Sequence, residues 1–249
     1  LTQRLLWPLT RLGETFDLYQ RAMASSNRIL DLLHTPLNIK DGQQSIDISS
    51  AKSIHFNNVD FSYPDRPPLF QSLELNIPLG KTIAFVGPTG SGKSSIVRIL
   101  LRFYPYLDGK VLIDSTCIDD LSLHNLRKQI GLVSQSVYLF DGTIAENISL
   151  GKKQATEMEI KNAAKLAEID DFIQSLPHGY QTKIGERGIT LSGGQKQRIS
   201  IARALIRKPN VLILDDCLSA VDTETEDKIL KNLYRNNKSN ITVIIGHRI

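Results

Sequence analysis

The run Gly87-Pro88-Thr89-Gly90-Ser91-Gly92-Lys93-Ser94 constrains this chain more than any other stretch. It follows the apolar segment Thr82–Val86 and precedes a helical pattern that starts near Ser94. The spacing is GxxxxGK[ST], which has meaning only between a strand and a helix. Glycine lets the backbone curl so that successive N–H groups point inward, where they suit phosphate oxygens. The helix beyond adds its positive N-terminal end. Lys93 is then placed to reach β- and γ-phosphates, and the Ser94 hydroxyl to ligate Mg²⁺. Gly87, Pro88, Thr89, Gly90, Ser91, Gly92 and Ser95 complete the expected cradle.

Val211-Leu212-Ile213-Leu214-Asp215 supplies the other half of such a site. Four apolar residues predict a buried strand, and the carboxylate stands at its C-terminal edge, where open α/β sheets bind ligands. Asp215 is expected to hold the Mg²⁺ through water. Alone the pattern is common; beside the loop at 87–94 it gains meaning.

The remaining pattern predicts strands alternating with helices, hence an α/β sheet with parallel crossovers. Val59, Phe61 and Tyr63 alternate, as do Leu73, Leu75 and Ile77, between Pro64, Pro67-Pro68 and Pro78. Lys110–Asp114, Ile130–Val133 and Ile241–Ile245 read as further strands, Ala155–Phe172 as an amphipathic helical stretch, and Glu224–Tyr234 as a helix. The runs Thr82–Val86 and Val211–Leu214 are short enough for buried strands, and no run reaches the ~18–20 apolar residues of a membrane-spanning helix. Residues 34–53 read as a linker. Leu5, Leu9, Leu12, Phe16, Tyr19 and Met23 lie on one helical stripe within residues 1–33, with Pro8 in the first turn or at a kink. That helix either lies on the domain or arrives from elsewhere. The chain begins with Leu rather than Met, which points to a piece of something longer.

Cys117 and Cys217 have no CxxC partner or histidine cluster, so neither a disulfide framework nor a zinc site is expected. Cys217 reads as a small buried thiol. His34, His55, His124 and His178 have no partners at catalytic spacing. The net charge of +4 is too small and too dispersed to indicate a nucleic-acid footprint.

Leu191-Ser192-Gly193-Gly194-Gln195 opens a helical pattern that continues to Ala204. Two glycines after a serine at a helix start make a second anion-binding terminus, or an ordinary N-cap. Taken with the two preceding segments, this sequence resembles the nucleotide-binding domain of ATP-binding cassette (ABC) proteins, whose signature is LSGGQ. The resemblance runs from about Ile54 to the C-terminus, in the family's motif order. It implies a P-loop NTPase core of parallel sheet and helices, an antiparallel β layer, and a helical subdomain over about 137–207. It implies that ATP and Mg²⁺ bind, with Tyr63 stacking on adenine and Gln135 contacting Mg²⁺ and coupling to a transport domain. Ser219-Ala220-Val221-Asp222 matches the loop that crosses the dimer interface, and His247 the histidine at the γ-phosphate. Ser192, Gly193, Gly194 and Gln195 would act on a nucleotide held by a second such domain, so the partner is a homo- or heterodimeric copy.

Within the family the exporter branch fits best. Gly185-Glu186-Arg187-Gly188 and Phe140–Ile148 resemble exporter segments, and residues 1–33 then become the cytoplasmic end of a last membrane helix in the same parent chain. The location implied is the cytoplasmic face of the plasma membrane. An importer subunit would lack that lead-in, and a nucleic-acid ATPase would carry coiled-coil or basic insertions between Lys93 and Leu191. The chain ends two residues past His247, before the family's final helices.

One departure concerns catalysis. The family usually has Glu and Pro where this chain has Asp216 and Cys217. Asp is shorter by roughly 1.5 Å, whereas a general base must come within about 2.6–3.2 Å of its proton. Either the backbone restores the reach and hydrolysis is normal, or the site chiefly holds ATP beside a partner's intact site. The resemblance favours the second, since heterodimeric exporters often pair an altered site with an intact one.

Overall fold

The computed structural model describes residues 2–78, 80–185, 191–236 and 241–246. They divide into two compact units, Leu1–Lys40 and Asp41–Ile249. The first is one helix, α1 (Thr2–Leu33), and Pro8 lies within it, beyond the first turn. On α1, Leu12, Phe16, Tyr19 and Met23 of the expected stripe are exposed. No helix among the described residues is long and apolar enough to cross a membrane.

The second unit begins inside the stretch expected to be a linker. Gln44 bridges to Leu121, the Asn125 and Gln129 side chains accept from the Ile46 and Ile48 N–H groups, and Ile48 is buried. Only the part before Asp41 lies outside this unit. The reason is the two isoleucines, whose apolar surface gains by joining the core.

An antiparallel sheet is built from β1 (Ser53–Phe61), β2 (Phe70–Pro78), β4 (Asp108–Ile113) and β5 (Thr116–Cys117), in the order β2-β1-β4-β5. Tyr63 lies just past the end of β1, in the turn toward β2 rather than in the strand. The central sheet has β3 (Thr82–Val86), β6 (Ile130–Val133), β9 (Val211–Asp215) and β10 (Ile241–Gly246), all parallel, in the order β3-β10-β9-β6. β9 is buried on both faces, which is why it reads as an unbroken apolar run. Val211 and Ile213 join one core with α2 (Lys93–Leu100), while Leu212 and Leu214 join a second core with the later helices. β3 departs from expectation. It is the sheet edge, its exposure alternates along the strand, and Val86 is 51% exposed. Among the described residues β3 pairs with β10 alone, and Ile83 and Phe85 pack against the first core while Thr82, Ala84 and Val86 are exposed.

Register carries the functional consequence. Gly246 pairs with Val86, Ile245 with Asp215, and Leu214 with Val133. Because the strands are parallel, the C-terminal ends of β3, β6, β9 and β10 all lie at one edge.

The second core gathers α4 (Ile144–Ser149), α5 (Glu157–Leu166), α6 (Asp170–Ser175), α7 (Gly193–Leu205) and α8 (Thr223–Asn236). A two-stranded ribbon, β7 (Gly142–Thr143) with β8 (Lys183–Ile184), lies among them, and α3 (Leu123–Gln129) precedes β6. Thr143, Thr156 and Ser192 start α4, α5 and α7 with capping boxes closed by Glu146, Glu159 and Gln195. The amphipathic stretch expected over Ala155–Phe172 is two helices. Glu168 turns left-handed at φ 52°, and the N–H groups of Glu168 and Ile169 bond back to Lys165 and Ala164 carbonyls, a Schellman-type stop. The break buries Ala167 and Ile169 completely.

Candidate functional site

At the shared strand edge lies a cavity of about 400 Å³, lined among others by Tyr63, Thr89, Gly90, Lys93, Ser94, Ser95, Gln135, Asp215 and Asp216. The phosphate loop enters it from β3. Gly92 has a left-handed φ of 93° and N-caps α2, and a Cβ there would lie 2.6 Å from the Phe70 ring. Backbone geometry and close approach therefore both demand glycine. Gly87, Pro88 and Ser91 are not among the cavity's lining residues. The Gly87 and Pro88 carbonyls instead accept from the Lys93 ammonium at 2.6 and 2.8 Å. Lys93 was expected to reach toward phosphates; here it folds over its own loop, which satisfies a largely buried charge.

The carboxylates come from the end of β9. Asp215 Oδ1 accepts from the Ser94 hydroxyl at 2.8 Å, so two of the three residues expected at Mg²⁺ meet in the cavity, and the third, Gln135, also lines it. Asp216 sits one residue beyond, at φ 48°, with its N–H donating to the Ile245 carbonyl at 2.8 Å. The left-handed region is one that Asp tolerates better than most side chains. Gln135, leaving β6, donates its amide N–H to Asp216 Oδ2 at 2.8 Å. Two residues far apart in sequence thus share one hydrogen bond at the mouth of the cavity.

Cys217 points the other way, into the core, at 1% exposure. Burial, with the negative charges of Asp215, Asp216 and Glu226 nearby, pushes its thiol up to about 12. His55 bonds to the Ser53 hydroxyl at 2.7 Å, a satisfied polar pair.

The signature lies apart from the cavity. Ser192, Gly193, Gly194 and Gln195 do not line it. Ser192 caps α7, accepting from the Gln195 N–H at 3.3 Å, and Gln195 Oε1 accepts from the Ser192 N–H at 2.9 Å. This start of α7 packs on Ser219–Asp222. A Cβ on Gly194 would stand 2.7 Å from the Ala220 carbonyl oxygen, and the buried Gln197 side chain accepts from the Ala220 N–H at 3.2 Å. Asp222 N-caps α8, accepting from the Thr225 N–H at 2.9 Å, and that bond holds its carboxyl below the ordinary carboxylate range. His247 and Glu186-Arg187-Gly188, singled out from the sequence, lie outside the described residues.

Sequence reasoning missed two participants. Arg98 lines the cavity and donates to the Tyr63 hydroxyl. Its signal was available, since it stands four residues after Ser94 and so on the same face of α2. Gln197 had a weaker signal, a polar residue in a helix that otherwise alternates toward a core.

The family model described as "ABC transporter" matches residues 70–219. The uncharacterized ABC transporter ATP-binding protein YwjA of Bacillus subtilis (strain 168) is 42% identical over 250 residues, covering 100% of this chain and 44% of that protein. The iron-sulfur clusters transporter atm1, mitochondrial, of Aspergillus fumigatus is 40% identical over 254 residues, covering 100% of this chain and 35% of its own. A solved structure of a bacterial Atm1-family ABC exporter with ATP bound superposes with a TM-score of 0.88 at 37% identity, over 99% of this chain and 43% of that one. The chain therefore spans less than half the length of these relatives. The matched segment takes in the phosphate loop, the carboxylates at the end of β9 and the signature, in the order and on the sheet described above. The chain belongs to the ABC transporter family and has its ATPase fold.

Proposed function

We propose that this chain is the ATP-binding and ATP-hydrolysing domain of an ABC exporter, coupling closure of a domain pair to export across a membrane. The observation that carries the reading is the Ser94–Asp215 hydrogen bond inside the loop-lined cavity. It puts a hydroxyl and a carboxylate together beside a helix N-terminus that suits phosphate. Hard oxygen donors of this kind fit Mg²⁺, which when bound supplies charge neutralisation for the β- and γ-phosphates.

The chain's own residues do the rest. The loop N–H groups of 87–94 orient the phosphates, and Lys93 exchanges its loop carbonyls for phosphate oxygens. Tyr63 offers its ring to adenine. Asp216 accepts a proton from the attacking water, with Gln135 setting its carboxylate and His247 contacting the γ-phosphate. Phosphoryl transfer needs little beyond such positioning and charge stabilisation.

Ser192, Gly193 and Gly194 serve the nucleotide of a second, matching domain, because they stand away from the cavity of their own chain. Residues 1–33 lead from a transmembrane domain of the same parent chain, and residues 54–249 form the ATPase at the cytoplasmic membrane face. The exposed apolar stripe on α1 supports that origin. Turnover is slow, because Asp216 is short and its carboxylate is already engaged by Gln135. A misplacement of about 1 Å can cost on the order of a hundredfold.

The test is steady-state Mg-ATP hydrolysis by the intact parent protein, beside Lys93→Ala and Asp216→Glu. Low activity, abolished in Lys93→Ala and raised tenfold or more in Asp216→Glu, is expected. Brisk activity that Asp216→Glu leaves unchanged would remove the short-carboxylate argument. Activity that survives Lys93→Ala would remove the nucleotide site itself.

A further inference from the structure

We infer that Arg98 is a positioning residue for the base end of the cavity, holding the Tyr63 ring in the orientation on which a purine stacks. The inference rests on the nucleotide-binding reading and deepens it. The Tyr63 hydroxyl meets two polar groups, both from α2. Ser95 Oγ lies 2.9 Å away, and the Arg98 guanidinium donates through Nη1 at 2.9 Å. The guanidinium carbon also stands 5.9 Å from the ring centroid, within cation–π range.

The other edges of the ring are fixed by aromatic neighbours. Phe61 and Tyr104 meet it edge-on, with centroids 4.9 and 5.0 Å away and interplanar angles of 79° and 84°. Those contacts set its tilt; the hydroxyl bonds set where it points. Ser95 is buried, but a lone hydroxyl is a weak anchor for a ring that has just left a strand. A guanidinium hydrogen bond is charge-assisted and stronger.

The location gives the device its meaning. Lys93 and Ser94 open α2 at the phosphate end, and Ser95 and Arg98 follow within about a turn and a half at the base end. A helix rises about 1.5 Å per residue, so the spacing between phosphate grip and stacking ring is set by rigid backbone rather than by a loop. The pairing therefore favours ligands that carry both a planar base and a phosphate chain. Arg98 uses one of its five N–H donors on Tyr63, leaving others for acceptors on a bound purine.

The experiment compares equilibrium binding of ATP and of inorganic triphosphate to the purified full-length protein with Mg²⁺. Arg98→Ala should weaken ATP roughly five- to tenfold, the value of one such hydrogen bond, and leave triphosphate within twofold. Tyr63→Phe, which removes only the hydroxyl, should match it, and the combined variant should be no worse than either. Arg98→Lys, which keeps a charged donor on a long side chain, should recover part of the affinity, and Arg98→Gln less of it. Equal losses for ATP and triphosphate would show that Arg98 acts on phosphate charge, and additive losses that it acts independently of Tyr63; either overturns the inference. Wild-type protein that binds triphosphate as tightly as ATP would overturn it too, while leaving the phosphate loop intact. Wild-type protein that binds neither would refute the nucleotide reading altogether.

Discussion

Two helix N-termini in this protein are built from the same residue types and end in opposite conditions. At α2 the N-cap is Gly92, which has no side chain to give its own helix, and the first residues of that helix line a concave cavity. At α7 the N-cap is Ser192, whose side chain and backbone are both engaged by Gln195. That terminus is closed on itself and packed against Ala220 rather than lining the cavity at α2. The first lines a cavity of its own chain. The second has the composition of an anion site but stands apart from that cavity, and under the function proposed above the two complete each other between paired domains.

The largest break in that comparison is expected from Lys93→Ala beside Gly194→Ala. Lys93→Ala should lower ATP affinity by two orders of magnitude or more. Gly194→Ala should leave ATP binding within twofold and cut hydrolysis at least tenfold, because it alters only the terminus that stands apart from the cavity. Equilibrium binding and turnover on the same samples separate the two; a Gly194→Ala variant that loses ATP binding would join the termini into one site.

A smaller effect concerns stability at α7. Replacing a helical glycine by alanine is ordinarily worth about 0.5–1 kcal/mol in favour of folding. Gly193→Ala should show that gain or none, since its Cβ would meet only the Ala220 Cβ at an ordinary 3.5 Å. Gly194→Ala should instead cost roughly 1–3 kcal/mol, because the Ala220 carbonyl would stand 2.7 Å away. Denaturant midpoints of the two variants decide it, and equal midpoints would mean the 219–222 loop yields freely.

The smallest expected effect concerns Cys217, in the core behind the end of β9. Burial raises the Cys217 thiol from an ordinary 9.0 to about 12, so between those values the unfolded chain releases a proton that the folded chain keeps. This contribution to stability is complete below pH 9 and is lost as pH rises toward 12. Alkylation at pH 8 should label the half-buried Cys117 first and Cys217 only after denaturant. Rapid labelling of native Cys217 would show that the core behind β9 opens.

How far the sequence foretold these regions differs by residue. The loop at 87–94 and the run ending in Asp215 were legible because their chemistry is local: glycine spacing, one lysine, and an apolar strand closed by a carboxylate. The break at Glu168 was not, since the periodicity of residues 155–172 continues across it and only burial of Ala167 and Ile169 in the shared core rewards the stop. Nor was the exposure of β3, because Thr82–Val86 is as apolar as an interior strand. Its edge position follows from β10, the last strand, inserting between β3 and β9.

The sequence by itself determined which side chains this protein has for phosphate and metal chemistry, because each of those motifs reads within a few residues and its spacing follows from backbone geometry. Tertiary structure decided which of them meet. Parallel register brings Val86, Val133, Asp215 and Gly246 to one edge, so that Gln135 reaches Asp216 across a gap of many residues and Arg98 finds Tyr63. The same packing seats Gly194 against Ala220 and leaves Ser192–Gln195 off the cavity lining. Local motifs encode donors and acceptors; only strand order and helix packing fix the distances between those far apart in the chain.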